Sequence, residues 1–283
     1  MLKYRLILGP IMIALLLGVL WLDQWAASED HARAGLVILL LLVLPGIRFA
    51  SRELAVLLRA KGVATGFRVL FLAGAAGSVG VYASVQNDID IAGPTAMLVV
   101  SLGIGALMLG VLIQCKGRNT EGTMVAGAAA VFAFVYLGLM PGTLLAIRAE
   151  HSAWVLAAAL LVTKSCDIGA YFTGRAIGKN KLIPWLSPGK TWEGLGGGVA
   201  LAAVVSLATL MPLADLHWAY ALLVGAVLAV IGQLGDLFAS MLKRDAAVKD
   251  SGSSIPGFGG VLDVIDSPLL AGPVAYWLLA MAG

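Results

Sequence analysis

An all-α, polytopic transmembrane fold of about nine spans with a cytoplasmic N-terminus is what this sequence predicts. Three observations carry that expectation. Hydrophobic residues make up 60% of the chain and charged residues only 12%, with a mean hydropathy of +0.95, far from the soluble globular range. Apolar runs of about 20 residues, the length that crosses a hydrocarbon core, recur along the chain. The 35 glycines suit helices that approach closely in lipid, where small residues line the contacts. Cys115 and Cys166 form neither a CxxC pair nor a zinc pattern, so both read as buried or inert thiols.

The candidate spans are 5–22, 34–50, 67–86, 93–114, 123–147, 152–174, 194–212, 218–242 and 267–282. The first follows Lys3 and Arg5 as a signal peptide would. Its apolar stretch is longer than an ordinary signal core and a second span follows closely, so a retained helix is expected. With the N-terminus inside, 16 of the 19 Lys and Arg residues fall on the cytoplasmic side, as the positive-inside rule requires. Arg33 and Arg148 fall outside, and Lys164 lies within a span. The outer segments DQWAASED, NDIDIAG, RAEHS and PLADLH are acidic or short.

Residues 51–61, SRELAVLLRAK, place Leu54, Leu57, Leu58 and Lys61 on one side at helical spacing. Two readings stand side by side: a helix lying on the bilayer surface, or a frayed extension of the second span. No internal repeat is evident. Charge inside the membrane is confined to the last four spans, so residues 1–150 read as scaffold and 151–283 as a catalytic region within one membrane domain.

Chemistry concentrates in that second part. In span six, Lys164, Asp167 and Tyr171 share one helical face, and an ionisable group inside a span faces a cavity or a partner. A structural Lys164–Asp167 pair is the competing reading. Asp167 lies about 12 Å from the cytoplasmic end at the helical rise. The loop 175–193 carries Arg175 and the segment SPGKTWEG, with Ser187, Lys190 and Thr191. Such a basic, glycine-containing loop before a helix N-terminus can wrap an anion, although GKT lacks the earlier glycine of a Walker A motif. In span eight, Gln233, Asp236, Ser240 and Lys243 fall along one stripe, with Arg244 beside it. Asp236 is as deep as Asp167, and two carboxylates at matching depth suit a divalent cation with phosphate oxygens. A polar segment with Lys249 and Asp250 follows, then a turn with Gly257, Gly259 and Gly260, which allow close backbone approach. Asp263 and Asp266 come next, three residues apart, and can join the metal site from the other side of the turn. The stretch from Gly235 to Ser267 thus reads as a polyphosphate and metal site. His31, His151 and His217 all fall on the outer side, so histidine acid–base chemistry is not expected. A phosphate monoester, largely dianionic at neutral pH, needs little deprotonation to attack a nucleoside triphosphate.

Ser240-Met-Leu-Lys-Arg, four residues, Lys249-Asp250, then Pro256-Gly-Phe-Gly-Gly-Val-Leu-Asp263 and Asp266 resemble the signature of phosphatidate cytidylyltransferases, the CDP-diacylglycerol synthases. The stretch D-x-x-A-Y-x-x-G-R from Asp167 to Arg175, the segment SPGKTWEG and Gly235-Asp236 are similar to further motifs of that family. The resemblance covers roughly residues 165–267 by motif. It implies that CTP and phosphatidate give CDP-diacylglycerol and pyrophosphate with Mg²⁺, for phospholipid synthesis. It further implies that Asp236 and Asp263 hold a metal pair, and that Lys243, Arg244, Lys249 and the SPGKT loop bind phosphates. A homodimer in the bacterial cytoplasmic membrane or its organellar counterpart, with the active site facing the cytoplasm, is implied as well; nucleic acid is not an expected partner. Two positions depart from the pattern: Phe258 stands where the family commonly has His, and Val264 where it has Arg. Two other readings are weighed beside this one. A sister CTP-dependent enzyme acting on another lipid phosphate or a polyprenol would use the same apparatus. A transporter of an anionic metabolite would need repeat symmetry and polar groups reaching the outer side, and neither is seen.

Overall fold

Long apolar runs dictate helices, because a backbone in lipid must satisfy its own hydrogen bonds. The computed structural model describes residues 2–30, 33–63, 65–86, 94–115 and 120–282. His31, Lys116, Arg118 and the NDIDIAG stretch (87–93) lie outside the described residues, as do the side chains of Lys3 and Arg5. Among the described residues, eight helices are long and apolar enough to cross a membrane: Leu6–Glu29, Phe67–Gln86, Met97–Cys115, Thr123–Glu150, Ala153–Ile177, Trp192–Leu213, Trp218–Asp245 and Val261–Ala280. The architecture is that of an all-α polytopic membrane protein.

The chain forms two compact units, Met1–Ala149 with Asp245–Val264, and Glu150–Arg244 with Ile265–Gly283. In the first, α1 (Leu2–Glu29) is followed by α2 (Leu36–Ile38), which runs through a π-helical stretch, Leu39–Val43, into α3 (Leu44–Ala60). The candidate span 34–50 therefore falls largely within a longer helix, 36–60, that also carries Arg52, Glu53 and Arg59, and it is not among the eight helices above. Residues 51–60 continue that helix without a break, with Ser51, Glu53, Leu54, Ala55 and Leu57 buried. Next come α4 (Phe67–Gln86), α5 (Pro94–Cys115) and α6 (Thr123–Ala133); α6 passes through a π-helical stretch, Phe134–Leu139, into α7 (Met140–Glu150). Ser78 Oγ donates to the Gly138 carbonyl at 2.8 Å, pinning α4 to that widened turn.

The two basic residues that break the positive-inside pattern both meet acids in this unit. Arg33 Nε lies 3.6 Å from Asp30. Arg148 Nε donates to Asp23 Oδ2 at 2.6 Å, with both side chains almost wholly buried. Asp23 also accepts from the backbone N–H groups of Gly35, Val37 and Ile38. It thus serves the free amides at the start of α2, which that helix cannot satisfy itself, and ties α1, α2 and α7 together.

The second unit holds α8 (Ala153–Ile177), a two-stranded hairpin of β1 (Lys181–Ile183) and β2 (Ser187–Thr191), α9 (Trp192–Leu213), α10 (Trp218–Asp245) and most of α11 (Val261–Ala280). α8 and α9 pack backbone to backbone: a Cβ on Gly169 would lie 2.8 Å from the Gly197 carbonyl, and one on Gly198 would lie 2.7 Å from that of Cys166. Cys166 is buried in this contact, and its thiol is free. Residues 175–193 are not a loop as expected. Arg175 lies in the last turn of α8, and SPGKT is a strand paired antiparallel with β1, Lys181 opposite Thr191 and Ile183 opposite Ser187.

Candidate active site

The second unit brings five of the charged residues flagged above into one neighbourhood, and the reason begins with Gly235. A Cβ there would sit 2.6 Å from the Asp266 carbonyl and 3.1 Å from Ser267 Cα. Only glycine lets α10 lie this close to α11, and the next residue on α10 is Asp236. The Asp236 carboxyl consequently lies beside that of Asp266, and Asp167 on α8 is an electrostatic neighbour of Asp236. Asp266 is buried, whereas Asp167 is about half exposed.

Two lysines are interleaved with these acids. Lys190, near the end of β2, forms an ion pair and a hydrogen bond with Asp236. Lys164 Nζ lies 3.6 Å from Asp167 Oδ2 and 3.7 Å from Asp266 Oδ1, and donates to Ser267 Oγ at 3.4 Å. Lys164 therefore serves two carboxylates, not Asp167 alone. Ser267 donates both its N–H and its hydroxyl to Asp266 Oδ1. Burying carboxylates is tolerable only with such counter-charges and donors.

The hairpin delivers Lys190. Its base is closed by Glu193, whose carboxylate accepts from the Asn180 backbone N–H and side-chain amide, and by Trp192 N–H donating to the Asn180 carbonyl. Thr191 caps α9, its Oγ1 accepting from Gly194 N–H at 3.1 Å. The start of α9 is thus served by its own Thr191 and by Glu193 in its first turn. Ser187 sits at the other end of β2, and Arg175 donates to the Tyr171 hydroxyl at 3.0 Å. Along α10, Ser240 is half-buried, and Lys243 and Arg244 occupy the last turn, where cations complement the helix dipole. Lys243 adds its field to Asp236. One turn deeper than Asp236, the buried Gln233 Nε2 has no hydrogen-bond partner.

The remaining flagged residues belong to the first unit's segment Asp245–Val264. Asp245 pairs with Lys61 at 2.9 Å. Lys249 and Asp250 are exposed, and Ser251 is buried. Asp263 Oδ2 accepts from Ser251 N–H and Gly260 N–H at 3.0 and 2.8 Å, with Ser251 Oγ 3.0 Å away. Gly259 has φ of 101° and bridges to Ile255. Phe258, in place of the family's His, packs its ring near Gly9 of α1, an apolar contact. Nothing in the structure explains Val264.

Glu53 is the participant that sequence reasoning missed. From α3 it accepts four hydrogen bonds from this segment: Ser254 Oγ at 2.6 Å and Val261 N–H at 2.8 Å on Oε1, Ser251 Oγ at 3.0 Å and Leu262 N–H at 2.9 Å on Oε2. A signal for it existed. Glu53 lies three residues after Ala50 and four before Leu57, on the apolar stripe of α3, where an acid needs a partner.

Among the described residues, no group of three or more His, Cys, Asp or Glu side chains forms a ready-made metal cage. Mg²⁺ does not require one. It is usually held by one or two carboxylates with waters and substrate phosphates. Adjacent Asp236 and Asp266, all-oxygen donors now balanced by ammonium groups, fit that pattern.

A family model described as the Cytidylyltransferase family matches residues 3–282. The chain is similar to phosphatidate cytidylyltransferases from Bacillus subtilis, 44% identical over 154 residues covering 53% of this chain and 56% of that protein; Pseudomonas aeruginosa, 46% identical over 131 residues covering 46% and 48%; and Haemophilus influenzae, 40% identical over 161 residues covering 50% and 54%. The chain spans about half the length of the curated relatives it matches. With the family model running almost end to end over helices that carry these acids and lysines, the chain belongs to the cytidylyltransferase family.

Proposed function

We propose that this chain is a nucleotidyltransferase that moves a cytidylyl group from CTP to phosphatidate, giving CDP-diacylglycerol and pyrophosphate. The observation that supports it most is the alternation of carboxylate and ammonium around Gly235: Asp236 with Lys190, and Asp266 and Asp167 with Lys164. Such a cluster suits a reaction in which two highly anionic substrates must be brought together. An oxygen of the phosphatidate phosphate attacks the α-phosphorus of CTP. The new P–O bond forms as the bond to the β-phosphate bridging oxygen breaks, and pyrophosphate leaves with that electron pair. The attacking phosphate has a second pKa of about 6, so no general base is needed. Positioning and charge neutralisation then supply the catalysis.

Asp236 and Asp266 would hold Mg²⁺, with Asp263 one turn earlier on α11 as the acid the family pattern adds. Mg²⁺, when bound, neutralises triphosphate charge and orients its oxygens, in a one- or two-metal arrangement. Lys190, on a flexible stem, turns from Asp236 to phosphate once that carboxylate is otherwise engaged. Lys243, Arg244, Lys249, Arg175 and the Ser187–Thr191 strand answer further phosphate charge, and Asp167, Asp250, Ser240, Gly259 and Gly260 complete the substrate contacts. The distribution of Lys and Arg supports a cytoplasmic N-terminus and a cytoplasm-facing site in the cell inner membrane. Phosphatidate enters laterally from the inner leaflet, keeping its acyl chains in lipid. A homodimer belongs to the same reading and rests on the resemblance alone.

The test is an acceptor panel in mixed micelles: phosphatidate, an archaeol-type lipid phosphate and a polyprenol, each with CTP or another nucleoside triphosphate and Mg²⁺. Pyrophosphate release and a cytidine-containing lipid with phosphatidate and CTP support the proposal. Turnover only with another acceptor points to the sister enzyme, and none with any acceptor sinks the assignment.

A further inference from the structure

We infer that Glu53, on a helix the sequence assigns to scaffold, is the positioning residue for Asp263 and the first turn of α11. The consequence for catalysis rests on the cytidylyl-transfer reading; the structural part does not. Helix α11 begins at Val261, and the residue before it is Gly260, which has no side chain to cap the free N–H groups of the first turn. Glu53 supplies that cap from α3. Its Oε1 takes Val261 N–H and its Oε2 takes Leu262 N–H, while Ser254 and Ser251 hydroxyls fill the remaining acceptor positions. A carboxylate at a helix N-terminus also meets the favourable end of the dipole. Gly260 has to be glycine here, because a Cβ would overlap Ser251 Oγ and Glu53 Oε2.

Asp263, third residue of the helix, closes the other half of a capping box by accepting from Gly260 N–H at 2.8 Å. The link between the two acids is Ser251. Its hydroxyl oxygen is 3.0 Å from both Glu53 Oε2 and Asp263 Oδ2; with one proton it serves one of them at a time, and when it donates to Glu53 the Ser251 N–H still donates to Asp263 Oδ2 at 3.0 Å. Glu53 therefore fixes Ser251 and the start of α11, and these fix the Asp263 carboxylate. Replacing Glu53 by Gln removes acceptor capacity from a site in which every neighbour is a donor, and adds an NH₂ group that faces them.

The experiment uses the full chain in detergent micelles as wild type, Glu53→Gln and Ser251→Ala, with amide hydrogen exchange and Mg²⁺-dependent CTP turnover on phosphatidate. For Glu53→Gln, faster exchange is expected at Gly260, Val261 and Leu262 while α8 and α10 keep their protection. Half-saturating Mg²⁺ should rise or kcat fall by about 10- to 100-fold, as for supporting partners of metal ligands, with KM for CTP little changed. Ser251→Ala should shift the Mg²⁺ response while leaving Val261 and Leu262 protected. The inference is overturned if Glu53→Gln keeps wild-type protection at those amides. It is also overturned if protection is lost throughout the first unit while the folded fraction keeps wild-type Mg²⁺ response and kcat, since that is a purely structural role. A wild type inactive on every lipid phosphate refutes the functional reading instead, and the exchange at Val261 and Leu262 still decides whether Glu53 holds this turn.

Discussion

Replacing Gly235 by Ala probes the packing that sets Asp236 beside Asp266. The added Cβ would lie 2.6 Å from the Asp266 carbonyl, where ordinary contact begins at 3.4 Å, so one helix must yield by about 0.8 Å. The obstacle is backbone, which cannot rotate away as a side-chain end does. Overpacking of this kind costs about 1–3 kcal/mol, offset by the roughly 1 kcal/mol that Ala gains over Gly in a helix. The expected net destabilisation is thus small, at most about 2 kcal/mol. The expected loss of turnover is larger, because a misplacement near 1 Å costs about 100-fold. Gly196→Ala on α9 is the control, since a Cβ there meets nothing within 4 Å. Thermal unfolding in detergent and CTP turnover per folded protein are measured together. If Gly235→Ala turns over at the wild-type rate, the close approach of α10 and α11 does not set the site, and the reasoning fails.

Lys190→Met should leave Asp236 without its ion pair and lower turnover by about two orders of magnitude; steady-state kinetics with CTP check this, and a near-normal rate removes Lys190 from the site. Arg148→Met leaves the buried Asp23 without its counter-ion and should destabilise the chain by about 3 kcal/mol, the low end for a broken buried pair, because three amides still bond Asp23. Its turnover per folded protein should stay at the wild-type level. Asp236→Asn and Asp263→Asn should abolish turnover with the protein still folded, since Asn retains an acceptor for Gly260 N–H; activity near normal in both removes them from the metal set.

Much of this was legible because lipid makes polar residues conspicuous. Lys164, Asp167 and Asp236 stand out in apolar spans, and counting residues at the helical rise put Asp167 and Asp236 at equal depth. The partners were less legible. Lys190 and Asp236 are 46 residues apart, and only the hairpin between α8 and α9 reveals that a lysine of SPGKT reaches an acid of α10. That hairpin itself was hidden, because Pro188 and Gly189 argue against a strand. Glu53 was hidden by its neighbours: Arg52 and Arg59 made α3 look amphipathic, whereas the face carrying Glu53 packs on protein. The π-helical turns Leu39–Val43 and Phe134–Leu139 arise within uniform apolar runs, where side-chain periodicity carries no mark of them.

The most direct test of cytidylyl transfer follows label from CTP. The protein in phosphatidate micelles is given CTP labelled at either the α- or the γ-phosphorus, with Mg²⁺. Cytidylyl transfer sends α-label into the lipid and γ-label out as pyrophosphate. Label from the γ-position in the lipid, with CDP released, would mean phosphoryl transfer and would contradict it.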